Sequence, residues 1–182
     1  MAANNVGMLA RMRAAKIPIY AYEESLEDDR QLILAGILEE GSYSMGEFGY
    51  RSYLLQRVPN AKQGRVIRAC AIFAKELVVR NKSVQYVPIA QLFMWARYAL
   101  DPRASLEEAA NLDGRGYLVV PDISRSIEDW PKHEWQYAQH ILARHVNSGG
   151  GLILGELDLD EPAPYLPEFL ELFSSFHAIP IK

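Results

Sequence analysis

Residues 52–87 read SYLLQRV, PNAKQG, RVIRACAIFAKELVVRNK and SVQYV, and this alternation decides the fold. Ser52–Val58 is a short, largely apolar run of strand length. Pro59–Gly64 is a loop, punctuated by a proline and a glycine. From Arg65 to Arg80 the residues Ile67, Cys70, Ala71, Ala74, Leu77 and Val78 recur at helical spacing. Ser83–Val87 is a second short run of strand type. Strand, loop, helix and strand in this order form a crossover unit joining parallel strands.

Outward from this unit the pattern continues. Ile89–Leu100 reads as a helix that stops before Pro102. Gly116–Pro121 is an apolar strand. Pro131–Val146 is a helix with proline in its first turn and a glycine run beyond its end. Gly151–Leu154 is a strand, Pro164–Phe176 a helix and His177–Ile181 a last strand. Upstream, Ser25-Leu26-Glu27-Asp28 resembles a capping box with Asp in place of Glu or Gln, opening a helix that runs to Glu39. Gly41, Gly46 and Gly49 mark a loop. The strands are continuous apolar runs rather than in–out alternations, as in a parallel sheet covered on both faces. The expectation is a three-layer α/β fold around a mainly parallel five-stranded sheet. Residues 17–182 form one domain in this reading, and residues 1–16, with Arg11, Arg13 and Lys16, form a flexible arm.

Composition narrows the functional classes. The chain has 182 residues, 49% of them hydrophobic, which suits one domain with an ordinary core. One cysteine excludes an internal disulfide and a Cys-rich zinc site. A net charge of −4 excludes a uniformly basic coat but allows a local basic patch. No apolar run has the roughly 18 residues of a membrane span, and the first 16 residues have no signal-peptide core. A soluble, cytoplasmic protein is expected.

In a fold of this kind the first strand–loop–helix junction is the usual phosphate site. Here it is PNAKQGRV, residues 59–66. The phosphate-loop pattern G-x-x-x-x-G-K-[ST] falls on Pro59, Gly64, Arg65 and Val66, and only Gly64 matches. Pro59 has no N–H to offer a phosphate. Lys62 stands where a common variant has a glycine. Arg65 replaces the lysine with a bulkier, planar cation. Val66 replaces the hydroxyl residue that would hold Mg²⁺. The metal-holding acid belongs just past a later buried strand, where YLVVPD, residues 117–122, places Pro121 and Asp122. Asp122 either faces a ligand or caps the following turn.

These residues together resemble the ATPase domain of the DnaC/DnaI helicase loaders and the IstB transposition ATPases, members of the AAA+ class. The resemblance spans about Lys16 to Ile181. It rests on Ile17-Pro18, Tyr20 and Ser25–Asp28, on Tyr53-Leu54-Leu55, and on Gly64-Arg65 leading into Ala69–Ile72, Glu76-Leu77 and Asn81–Val84. It continues with Leu118–Asp122, Trp130, Arg144 and Leu152–Leu154. No piece is specific alone; order and spacing carry it. It implies a P-loop NTPase-like AAA+ core, and the departures imply that the core is degenerate. The Walker A positions are Pro59, Lys62, Gly64, Arg65 and Val66, and the Walker B positions are Pro121 and Asp122. The family's sensor position falls on Gly155 or Glu156, and the late helix that carries the family's arginine finger reads Pro167–Phe173 with no arginine. Phosphoryl transfer works by positioning and charge neutralisation, so five altered elements together imply a pseudo-ATPase without catalytic residues, cofactor or metal. Residues 1–16 are too few for the family's helicase-binding N-terminal domain.

Several other groupings have a functional and a structural reading. Arg51, Arg57, Lys62, Arg65 and Arg68 put five cations in 18 residues, either a contact surface for single-stranded DNA, with Tyr50 and Tyr53 to stack on bases, or a solvated face balanced by Glu47 and Glu76. His133, His140 and His145 share one predicted helix, but Tyr137 breaks the zinc-protease spacing after His133-Glu134, and helix histidines without metal are the better reading. Cys70 reads as a small core residue rather than a nucleophile. Phe93, Met94, Trp95 and Tyr98 read as core with some contact surface. The acidic run from Glu156 to Glu161 lacks the spacing of a calcium loop. The leading expectation is therefore a non-catalytic, helicase-loader-related protein of DNA replication or recombination, phage- or plasmid-borne. It would bind a replicative helicase, an AAA+ relative or single-stranded DNA, and no membrane. The alternatives are an active ATPase with a non-standard phosphate loop, and an inhibitor or scaffold that binds protein but not DNA.

Overall fold

The computed structural model describes residues 2–18, 51–59, 64–100, 116–123, 131–156 and 165–181. The helix expected after Ser25, Tyr50, Lys62, Trp130 and the acids beyond Glu156 lie outside them. The elements are α1 (Ala2–Ala14), β1 (Tyr53–Arg57), α2 (Arg65–Val79), β2 (Val84–Tyr86), α3 (Ile89–Leu100), β3 (Tyr117–Val120), α4 (Lys132–Asn147), β4 (Gly151–Gly155), α5 (Pro167–Leu172), a 3₁₀ turn (Phe173–Ser175) and β5 (His177–Ile181).

The five strands form one parallel sheet in the order β2-β3-β4-β1-β5. This is the three-layer α/β architecture expected from the sequence. Alternate residues serve opposite faces. Tyr53, Leu55, Tyr117, Val119 and Ile153 pack with Val66, Phe73 and Leu77 of α2 and with Met12 of α1. Leu54, Leu118, Val120, Leu152 and Leu154 pack with Leu92 and Trp95 of α3, Trp135 and Leu142 of α4 and Phe169 of α5. Both faces are buried, which is why the strands read as unbroken apolar runs.

Strand order explains this division of helices. Crossovers between parallel strands are right-handed, so the direction of travel across the sheet sets the face of the connecting helix. From β1 the chain moves past β4 and β3 to β2; every later step, β2 to β3 to β4 to β5, moves the other way. Hence α2 packs on one face, and α3, α4 and α5 pack on the other.

Three helix ends share one closing geometry. After α1, α2 and α4 the residues Lys16, Asn81 and Gly149 have φ of 58°, 60° and 90°. The following N–H reaches back five residues: Ile17 to Met12 (3.1 Å), Lys82 to Leu77 (2.9 Å) and Gly150 to His145 (3.0 Å). This left-handed cap normally takes glycine. A lysine there costs roughly 1 kcal/mol of backbone energy.

Both sheet edges are managed. The outward-facing Tyr86 N–H of β2 donates to the Ala15 carbonyl (2.9 Å). In β5, His177 donates to Ser52 and Ile181 accepts from Val58, so the odd-numbered residues face β1 and Pro180 faces away. A proline there removes a donor from the free edge. The late helix is shorter than expected: α5 ends at Leu172 and tightens into the 3₁₀ turn, where the Ser174 and Ser175 hydroxyls donate to the Glu171 and Leu172 carbonyls.

The amino-terminal segment departs from the expectation of a flexible arm over residues 1–16. Residues 2–14 are helical, Met12 is fully buried, and Ala15 and Ile17 join the core formed with α2. The side chain of Arg11 donates to Asn81 just past α2. The sequence hides this because only Met8, Met12, Ala15 and Ile17 face inward, a sparse apolar stripe. With α1 docked, Met12→Ala is expected to lower the urea midpoint by an amount worth about 2 kcal/mol or more; an unchanged midpoint would mean that the segment is not part of the core.

Candidate functional site

Ligands in open α/β sheets bind beyond the carboxyl ends of the strands, at the point where adjacent connections leave for opposite faces. Here that point lies between β1, whose chain turns to α2, and its neighbour β4, whose chain turns to α5. Gly64 and Arg65 border it on one side, and Gly155 and Glu156 on the other. Pro121 and Asp122 enter from the end of β3.

Close backbone packing holds these segments together. The Gly155 carbonyl accepts the Ile123 N–H (3.1 Å), and the Glu156 N–H donates to the Leu55 carbonyl (3.1 Å). A Cβ on Gly155 would lie 2.3 Å from the Pro121 carbonyl oxygen and 2.8 Å from Cys70 Sγ. The end of β4 thus admits no side chain at 155. Glu156 then takes a left-handed backbone, φ 53°, uncommon for a glutamate. The Gly155 contact is not legible in the sequence; its only signal is a glycine closing an apolar strand.

At the head of α2, Gly64 has φ 82°, a backbone conformation that favours glycine, and among the described residues nothing lies within 4 Å of where a Cβ would stand. Arg65 is half-buried. Val66 is fully buried in the core around Tyr53 and Phe73. Arg65 and Arg68 stand in or next to the first turn, which contains no acid. Cations at this end oppose the helix dipole by a few tenths of a kcal/mol each, and they add to the attraction of that end for anions.

Asp122 is half-buried, and Pro121 is buried. Cys70 lies beneath them, fully buried. Its thiol is held well above the usual range, first by burial and then by the negative charges of Glu156 and Asp122. The two carboxylates therefore sit close to the second turn of α2, and Cys70 is a packed core residue rather than a nucleophile.

The structure divides the five-cation group. Arg57, Arg65 and Arg68 lie toward the carboxyl end of β1, and Lys62 is outside the described residues. Arg51 precedes β1 and bonds to Nδ1 of His177 (3.1 Å) at the opposite end of the sheet, about 20 Å from Arg57 by strand rise. Tyr53 is fully buried against Phe73 and cannot stack on bases. Of the α4 histidines, His133 and His140 are exposed, and His145 is buried with Nε2 3.0 Å from the Gly151 carbonyl. Among the described residues no group of three or more His, Cys, Asp or Glu is placed to hold a metal ion, and no helix is long and apolar enough to cross a membrane.

The chain is similar to a crystal structure of DnaI, with a TM-score of 0.57 over 92% of each chain at 14% sequence identity. The fold is thus a P-loop NTPase-like α/β fold of the DnaI kind. No family model matches the sequence, and no curated protein matches it.

The environment of Cys70 gives a direct check. The thiol should react with DTNB only at the rate of unfolding. An unfolded thiol ionises above about pH 8.5, whereas the folded one stays protonated, so the unfolded state loses its proton first. Stability should then fall as pH rises past that value, and Cys70→Ala should flatten the fall. Fast labelling of the native protein would contradict this placement.

Proposed function

We propose that this chain is a non-catalytic, helicase-loader-related AAA+-like protein that acts in DNA replication or recombination by binding a partner protein, single-stranded DNA or both. The observation that carries the reading is Val66. It occupies the position where a metal-holding hydroxyl would stand, and its side chain is fully buried in the core. It has no oxygen to give, and a larger polar replacement there would have to enter a packed apolar layer.

The neighbouring positions support the same reading. Pro59 lacks an N–H, Arg65 is a broad planar cation, and Pro121 stands where the first metal-holding acid would be. Glu156 adds a carboxylate at the end of β4 and Asp122 adds another, both near enough to Cys70 to act on its thiol. Two carboxylates without a metal repel a polyphosphate. The resemblance to DnaI in fold supplies the helicase-loader context, and a replicative helicase or an active AAA+ relative is the partner class that context suggests.

A second reading keeps Arg65 and Asp122 as working parts, since Arg65 opens α2 and Asp122 follows β3, both toward the carboxyl side of the sheet. Steady-state phosphate release from ATP, with and without single-stranded DNA, separates the two. The proposal expects no release above background and no change in Arg65→Ala or Asp122→Ala. Turnover by the wild type that both substitutions abolish would overturn it in favour of an ATPase with an unusual loop.

A further inference from the structure

Charge is segregated along this chain. Residues 1–22 contain Arg11, Arg13 and Lys16 and no acid, whereas residues 145–182 contain six acids and one cation, Lys182. The fold carries this polarity to opposite ends of the sheet, because β2 and β5 are its two edges. At the β2 edge the outward N–H of Tyr86 donates to the Ala15 carbonyl (2.9 Å), which fastens the end of α1 there. At the other edge α5 and its 3₁₀ turn lead directly into β5. The two edges are about 19 Å apart by strand spacing.

Each end presents apolar surface edged by one sign of charge. Arg13 and Lys16 are exposed above buried Met12, Ala15 and Ile17. Leu9, 41% exposed, lies one turn before Arg13 on the same face of α1. Val79, equally exposed, ends α2, against which α1 packs. At the other end Glu168 and Glu171 are exposed and three apart on α5, with Phe169 turned into the core. Half-buried Leu172, Phe173 and Phe176 follow them. Among the described residues, none of Arg13, Lys16, Glu168 and Glu171 spends its charge on an ion pair within the chain. Strand-to-strand pairing is blunted at both edges, by Ala15 on β2 and by Pro180 in β5. Contact between the two ends therefore falls to side chains.

We propose that copies of this chain associate head to tail, the basic α1 end of one against the acidic α5 end of the next. A second copy is the occupant because one chain supplies both complementary ends. The contact is heterologous, so it extends into a ring or an open row rather than closing as a two-fold dimer. It goes beyond the function proposed above and needs neither nucleotide nor DNA. Exposed charge pairs are weak singly, so the association is weak and depends on concentration and salt.

Sedimentation velocity of the intact protein without nucleotide tests this. At low salt the weight-average sedimentation coefficient should rise with concentration across the micromolar range. High salt should hold it at the monomer value, because screening shortens the reach of exposed charges from about 10 Å at 0.1 M to about 3 Å at 1 M. Arg13→Glu with Lys16→Glu should abolish the rise, and so should Glu168→Lys with Glu171→Lys. An equimolar mixture of the two double variants should regain it, because the unaltered acidic end of the first meets the unaltered basic end of the second. That recovery also shows that both variants fold. A wild type that stays monomeric would overturn the proposal and leave the α1 end to an acidic partner. Association that survives either charge reversal, or loss in both variants without recovery on mixing, would overturn the pairing of these two ends.

Discussion

The constraint on which this structure depends is the right-handedness of crossovers between parallel strands. The chain reverses its lateral direction once, after its first crossover, and that single reversal isolates α2 from the three later crossover helices. It also sets the switch point of the sheet between β1 and β4, with the head of α2 at the carboxyl end of β1. Glycine 155 lets the segments there close on one another, because Pro121 and Cys70 occupy the space of its missing side chain. Gly64, Asp122 and Glu156 come to the carboxyl end of the sheet through this topology.

Much of the fold was legible because buried parallel strands and amphipathic helices leave strong periodic signals. The runs at 53–57, 117–120 and 151–155 and the helix after Gly64 are visible without coordinates. What escaped was long-range or sparse. The docking of α1 depends on four inward side chains, on one backbone bond from Tyr86 to Ala15 and on one side-chain bond from Arg11 to Asn81, partners some 70 positions apart. Arg51 is six residues from Arg57 in sequence, yet a strand lies between them, so proximity along the chain misled. Tyr53 reads as an aromatic beside a basic loop, but strand alternation turns it into the core. The place of Gly64 at the head of α2 and of Asp122 just past β3 could be anticipated from spacing; the left-handed backbone of Glu156 could not.

Net charge proved a poor guide to the surface. The acidic total coexists with a basic helix whose one acid is buried, and with an acid-free amino-terminal helix docked near its far end. The switch point has a different character: Arg65 and the helix amides attract anions, whereas Asp122 and Glu156 oppose them. On the reading proposed above, a site of mixed sign beside a buried valine would serve a metal–triphosphate complex poorly.

The central claim is that the site at the switch point has lost its ligand while the fold has persisted. Isothermal titration of the intact protein with ATP and ADP, with and without Mg²⁺, tests it most directly. The account predicts no binding heat above dilution with any nucleotide. Micromolar binding, strengthened by Mg²⁺, would contradict it.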